Sequence, residues 1–249
     1  MSPWAVLAII AAGFAAGAIN TIVGSGSLIT FPTLLALGYG PIVANVSNTV
    51  GLVFGSVSGV VGYRRELEGR WRALAALAVP AIAGGLLGAI LLLVLPQRVF
   101  RGVVPVLIIL ALLLVVLQPW LSRRLTVEGR GVPGAQVLLP VAVFATAVYG
   151  GYFGAAQGVI LMGILTLLVE APMQVLNGQK NVFAATVNAT AAVYFIAAAH
   201  VDWQAAGLIA VSSTVGAQAG ALVGRRLSPS LLRGLIVVAG VVALVKVLG

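Results

Sequence analysis

Apolar residues run through the chain in blocks at roughly 4–23, 28–37, 42–62, 73–95, 99–118, 135–155, 159–169, 174–199, 204–224 and 230–248. Crossing a bilayer core of about 30 Å takes about 20 helical residues. Six blocks meet that length as uninterrupted helices: 42–62, 73–95, 99–118, 174–199, 204–224 and 230–248. The blocks 28–37 and 159–169 are too short to cross. Each follows a longer block across a glycine-containing break, Val23-Gly24-Ser25-Gly26-Ser27 in one case and Gly150 to Gly158 in the other. The pattern predicts an all-α membrane protein in which two helices are interrupted at depth.

The pattern also repeats. A shift of 132 residues carries Gly26 onto Gly158, Asn45 onto Asn177, Trp71 onto Trp203, Gly84 onto Gly216, Gly88 onto Gly220 and Arg101-Gly102 onto Arg233-Gly234, without a gap from 26 to 102. Chance matches glycines in such a chain far more easily than it matches Trp, Asn and an Arg-Gly pair at one offset. The reading is an N-terminal repeat (1–118), a polar linker (119–134) and a C-terminal repeat (135–249). Each repeat is a broken, re-entrant helix pair (4–37, 135–169) followed by three transmembrane helices. If each pair enters and leaves on one side, a repeat crosses an odd number of times, so the second is inserted upside down.

Composition agrees with a lipid solvent. Of 249 residues, 61% are hydrophobic and 8% charged, with a mean hydropathy of +1.16. Soluble domains are about 25% charged. So few charges also exclude disorder, and 31 glycines without a period of three exclude collagen. The net charge of +9 would suggest nucleic acid in a soluble protein, but here the basic residues fall in short loops between apolar blocks. With 63–72 placed inside, 11 of the 14 Lys and Arg lie inside and only Arg98, Arg101 and Lys246 outside. This is the positive-inside bias, and it puts both termini outside. Met1-Ser2-Pro3-Trp4 has no basic n-region, so the first block reads as part of the mature protein.

Inverted repeats with broken helices are a transporter plan. The breaks meet near the midplane, and half-helix N-termini present positive dipole ends to an anion. Candidate ligands follow from polar groups at that depth. In the first break these are Asn20, Ser25 and Ser27, with Gly24 and Gly26 bringing main-chain N–H groups close; Ser25 or Ser27 can also cap the half-helix. In the second they are Gln157, with Gly154 and Gly158. The long helices add Asn45 and Asn48, matched by Asn177 and Lys180, and then Asn181. Lys180 falls where the first repeat has Asn48. It either attracts the anion or snorkels to the inner surface. Glu170 reads as a solvated loop carboxylate and His200-Val201-Asp202-Trp203 as an outer-boundary anchor. Arg101-Gly102 and Arg233-Gly234 read as helix starts at opposite surfaces.

No catalytic constellation appears: there is one His, no Cys and no pair of acids on an intramembrane face. No metal or cofactor site and no ATP-binding motif is expected, so transport draws on a gradient. A proton is the candidate coupling ion, although no buried carboxylate announces it.

The stretches Ala16 to Pro32, Val43-Ala44-Asn45-Val46-Ser47-Asn48-Thr49 and Gly62-Tyr63-Arg64-Arg65-Glu66-Leu67 resemble the signature of the TauE/SafE sulfite exporter family. So do Tyr149 to Gly158, Asn177-Gly178-Gln179-Lys180-Asn181 and His200-Val201-Asp202-Trp203. Ser25 and Ser27 depart from the glycines common there. The resemblance implies a plasma-membrane secondary transporter, an exporter of sulfur-containing anions such as sulfite, sulfonates or sulfoacetate. Its partners are the anion and the lipid bilayer, with no nucleic acid. An anion channel of the same fold, or a membrane scaffold without transport, are the rival readings.

Overall fold

The computed structural model describes residues 1–125 and 134–223, with Gly234, Val237, Val238 and Val241 as isolated positions beyond them. Arg233 and all but those four positions of the last apolar block, 230–248, therefore lie outside the described residues. Within them every element is a helix: α1 (Pro3–Ile22), α2 (Ser27–Ala36), α3 (Pro41–Gly62), α4 (Trp71–Val94), α5 (Gln97–Leu125), α6 (Ala135–Tyr152), α7 (Gln157–Leu168), α8 (Met173–Ala198) and α9 (Trp203–Val223). Seven are long and apolar enough to cross a membrane; α2 and α7 are the short ones. This is a multi-pass membrane protein. α5 continues to Leu125, so the first part of the polar 119–134 segment is helical.

The two breaks end their helices in the same way. Val23 and Gly24 both donate their N–H to the Ile19 carbonyl, and Phe153 and Gly154 both donate to that of Tyr149. Gly24 (φ 91°) and Gly154 (φ 74°) then turn into the left-handed region, which favours glycine because a Cβ would crowd the following carbonyl. These equivalent residues are 130 apart, not 132, yet the breaks themselves (23–26 and 153–156) match in length; the extra residues of the second half lie in α7, with 12 residues against 10 in α2. Ala156, at the N-cap of α7 as Gly26 is at that of α2, is itself left-handed at φ 56°, a strained conformation of the kind found at functional sites.

Small residues set the helix packing, as expected where lipid removes the hydrophobic drive between helices. A Cβ on Gly216 would strike the Phe14 carbonyl, and one on Gly84 the Phe144 carbonyl. Gly220 abuts Ala18, and Gly88 abuts Val148. Thus α1 lies parallel to α9, and α6 parallel to α4. Along α3, Ser47 accepts from the Asp202 N–H (2.9 Å), Ser56 accepts from Asn188 (3.0 Å), and Tyr63 Oη accepts from Asn177 (2.8 Å). α8 therefore runs antiparallel to α3. The 199–202 loop sits at one end of α3. The loop after its other end packs Leu67 on Gly178. Twenty-two residues at 1.5 Å rise separate the two loops by about 33 Å. Trp71 and Trp203 each open a helix (α4 and α9) and are exposed, as interfacial tryptophans are.

Candidate substrate site

The breaks touch. The Gly158 N–H donates to the Gly24 carbonyl at 2.9 Å. A Cβ on either glycine would lie well inside van der Waals contact of the other's Cα. The backbones approach so closely only because neither residue has a side chain.

Around this junction the sequence-selected residues fall into three groups. The first closes the ends of the broken helices across the two halves. Asn45, on α3, donates its amide to the Tyr152 carbonyl at the end of α6 (3.0 Å). Asn177, on α8, donates to the Thr21 carbonyl at the end of α1 (3.3 Å). Asn181 donates to the same carbonyl (3.3 Å). These contacts satisfy carbonyls that a terminating helix leaves without intrahelical donors. Asn48 instead accepts from the Thr30 hydroxyl of α2, locking the short helix to α3. Asn20 donates its side-chain amide to Ser56 (3.4 Å).

The second group is Lys180 alone. Its side chain is fully buried, at 0% exposure, so it does not snorkel. Nζ donates to the Asn20 and Thr21 carbonyls, each at 3.1 Å. These oxygens are at the negative end of the α1 dipole, where a cation is favoured. No carboxylate faces it among the described residues.

The third group is unsatisfied. Ser25 Oγ and Gln157 Nε2 are buried and have no hydrogen-bond partner among the described residues, and the same holds for the amide oxygens of Asn45 and Asn177 and for the Tyr152 hydroxyl. Neither serine caps α2: Gly26 occupies the N-cap without a side-chain bond, and Ser27 is the first helical residue. The expected serine cap is thus replaced by main-chain geometry, with Gly26 already helical. Among the described residues no main-chain bond takes up the N–H groups of Ser25, Gly26 or Ser27. Gln157 opens α7 with its amide folded against Gly150. A buried polar group without a partner costs about 1–3 kcal/mol, so a place where such groups collect is suited to a ligand that satisfies them.

Sequence reasoning did not single out the aromatic wall beside the breaks. Phe153 stacks edge-on with Phe31 (centroids 5.3 Å), and Phe100 of α5 approaches both Tyr152 (5.9 Å) and Phe153 (6.3 Å). Tyr149 donates its hydroxyl to the Ala155 carbonyl and braces the second break. In the loop before α9, Asp202 accepts from the Ala205 N–H (2.8 Å) and so caps that helix. The Tyr39 hydroxyl is held above its ordinary pKa by burial and by the Asp202 carboxylate, to which it is hydrogen-bonded. Glu170 and His200 are exposed.

A sequence model of the TauE/SafE sulfite exporters matches residues 9–247. The chain belongs to that family. It is also similar to three curated proteins. One is the "probable membrane transporter protein ORF9" of Sinorhizobium sp, 28% identical over 95% of this chain and 90% of that protein. The "probable membrane transporter protein YfcA" of Escherichia coli strain K12 is 27% identical over 94% of this chain and 86% of its own length. A "probable membrane transporter protein" of Haemophilus influenzae is 25% identical over 91% and 88%. The TauE/SafE match spans both helix breaks, Lys180 and every residue of the three groups above.

Proposed function

We propose that this TauE/SafE protein is a secondary transporter, an exporter of sulfur-containing anions such as sulfite, sulfonates or sulfoacetate across the plasma membrane. The anion is taken up where the two broken helices meet, contacted by Ser25, Gln157 and Lys180 with the free N–H groups at the start of α2. One observation carries this reading: a buried lysine that no carboxylate faces among the described residues lies at the same break as the unpartnered Ser25 hydroxyl and Gln157 amide. An oxyanion supplies a negative charge for Lys180 and an acceptor for the Gln157 amide and the Ser25 hydroxyl, while the unpartnered amide oxygens of Asn45 and Asn177 leave room for a donor on the same ligand. A sulfonate needs no bidentate Arg where several N–H and O–H groups converge.

In this reading the two repeats are inverted. The antiparallel course of α3 and α8, which the 132-residue shift pairs, supports it. So does the packing of each broken helix on the last matched span of the other half, α1 on α9 and α6 on α4. Alternating access then follows from one half rocking on the other about the Gly24–Gly158 junction, with both termini outside. Uptake into proteoliposomes tests the proposal. Sulfite or a sulfonate should enter saturably, and Lys180→Met should abolish entry while the protein remains folded. Non-saturating flux would favour a channel, and unchanged uptake in the variant would remove Lys180 from the site.

A further inference from the structure

We propose that Lys180 carries a proton through the transport cycle, so that each anion binds together with one proton and leaves with it. The inference rests on the anion site described above and assigns its coupling.

The donors and acceptors around Nζ decide it. A neutral amine has two N–H groups and an ammonium has three. The pocket offers two protein acceptors, the Asn20 and Thr21 carbonyls at 3.1 Å. The neutral amine is therefore fully served by the protein alone. The third hydrogen exists only in the protonated form, and among the described residues no further acceptor is bonded to Nζ. A sulfonate or sulfite oxygen supplies that acceptor and also the missing negative charge.

Electrostatics favours the same pairing. An isolated ammonium taken out of water tends to give up its proton. The carbonyl end of α1 offsets part of that cost, and a bound anion offsets the rest. Among the described residues no other group in the neighbourhood substitutes for Lys180. Of the elements packed on α8, α1 and α7 contain no titratable residue. α3 ends at Tyr63, which is engaged with Asn177. α4 contributes only the exposed Arg72, and α6 contributes Tyr149 and Tyr152. In the loop after α3, Glu66 is half-buried and already engaged, while Arg64, Arg65 and Glu68 are exposed and Arg70 is half-buried. α8 itself adds Tyr194 further along. The equivalent residue of the first repeat, Asn48, holds no exchangeable charge, so the cycle has one carrier and not two.

The step balances simply. A proton from water forms an N–H bond with the Nζ lone pair as the anion arrives, and the bond breaks as the anion leaves. No electrons are transferred. A monoanion and a proton cross together with no net charge.

Calorimetric titration of the reconstituted protein with ethanesulfonate tests this, because that probe does not change its own ionisation between pH 6 and 9.5. In buffers of different ionisation enthalpy, binding should take up close to one proton at the alkaline end. Affinity there should fall about tenfold per pH unit. Lys180→Arg, whose guanidinium keeps its charge, should bind without proton uptake and without that pH dependence. If the arginine does not fit, the wild-type titration decides alone: binding with no proton uptake and constant affinity across the range overturns the inference and leaves the anion site standing. If neither ethanesulfonate nor sulfite binds at any pH, the anion site falls and the proton carrier with it.

Discussion

Three glycines separate the contact at the helix breaks from the conformational demands of the turn. Gly24 is left-handed and in contact with Gly158. Gly158 is in that contact but helical. Gly38 is left-handed at φ 92° with nothing near its Cβ position. Substitution by Ala therefore imposes both costs on Gly24, the steric cost alone on Gly158 and the conformational cost alone on Gly38. A left-handed conformation costs Ala about 1–2 kcal/mol. The new Cβ at Gly24 or Gly158 would sit about an ångström inside ordinary contact, which begins at 3.4 Å. Overpacking of this kind costs about 1–3 kcal/mol, and backbone against backbone belongs at the upper end. Gly24→Ala should lose roughly 3–5 kcal/mol, Gly158→Ala roughly 2–3 and Gly38→Ala roughly 1–2. Thermal unfolding in detergent should rank the variants in that order, and transport in liposomes should be lost at 24 and 158 but kept at 38. If Gly24→Ala and Gly38→Ala were equally stable, and both transported normally, the breaks would not be touching and the junction would have to be abandoned.

Ser25→Ala removes a hydroxyl that has no partner, so stability should hold or rise slightly while anion affinity falls; a loss of stability with unchanged affinity would mark the hydroxyl as structural. Asn45→Ala leaves the Tyr152 carbonyl without its donor and should cost about 1–3 kcal/mol, read as a lowered melting temperature. The chain has no cysteine, so single cysteines report topology cleanly: Glu68→Cys and Gln204→Cys, both exposed, should react with an impermeant maleimide from opposite faces of the membrane. Reaction from one face would contradict the opposed course of α3 and α8.

The broken helices were legible because two apolar blocks were too short to cross, a property of composition and length. Trp71 and Trp203 were paired by the repeat, and both open their helices, whereas α5 begins at Gln97, ahead of the Arg101-Gly102 read as a helix start. The glycines of each break pointed to a turn, and Gly24 and Gly154 make it. What the pattern did not contain was contact across the chain. That Gly24 meets Gly158, and that Asn45 and Asn177 each close the broken helix of the other half, depends on how helices over a hundred residues apart are laid together. The two extra residues of α7 were hidden because the shift was set by the long helices beyond it, so that it paired Gly26 with Gly158 where the structure has Ala156 at the equivalent N-cap. For Lys180 two fates were open, and burial with both bonds to main-chain carbonyls removes the snorkelling one. The serine caps failed because the turn at Gly26 leaves no side chain at the position from which α2 would be capped.

The anion site itself is most directly tested by locating a ligand in it. Crystals grown with 2-bromoethanesulfonate should give an anomalous bromine peak beside the Gly24–Gly158 junction, with the sulfonate oxygens within hydrogen-bonding distance of Lys180 Nζ and Ser25 Oγ. A fully occupied peak elsewhere in the bundle, with Lys180 still bonded only to Asn20 and Thr21, would contradict the site.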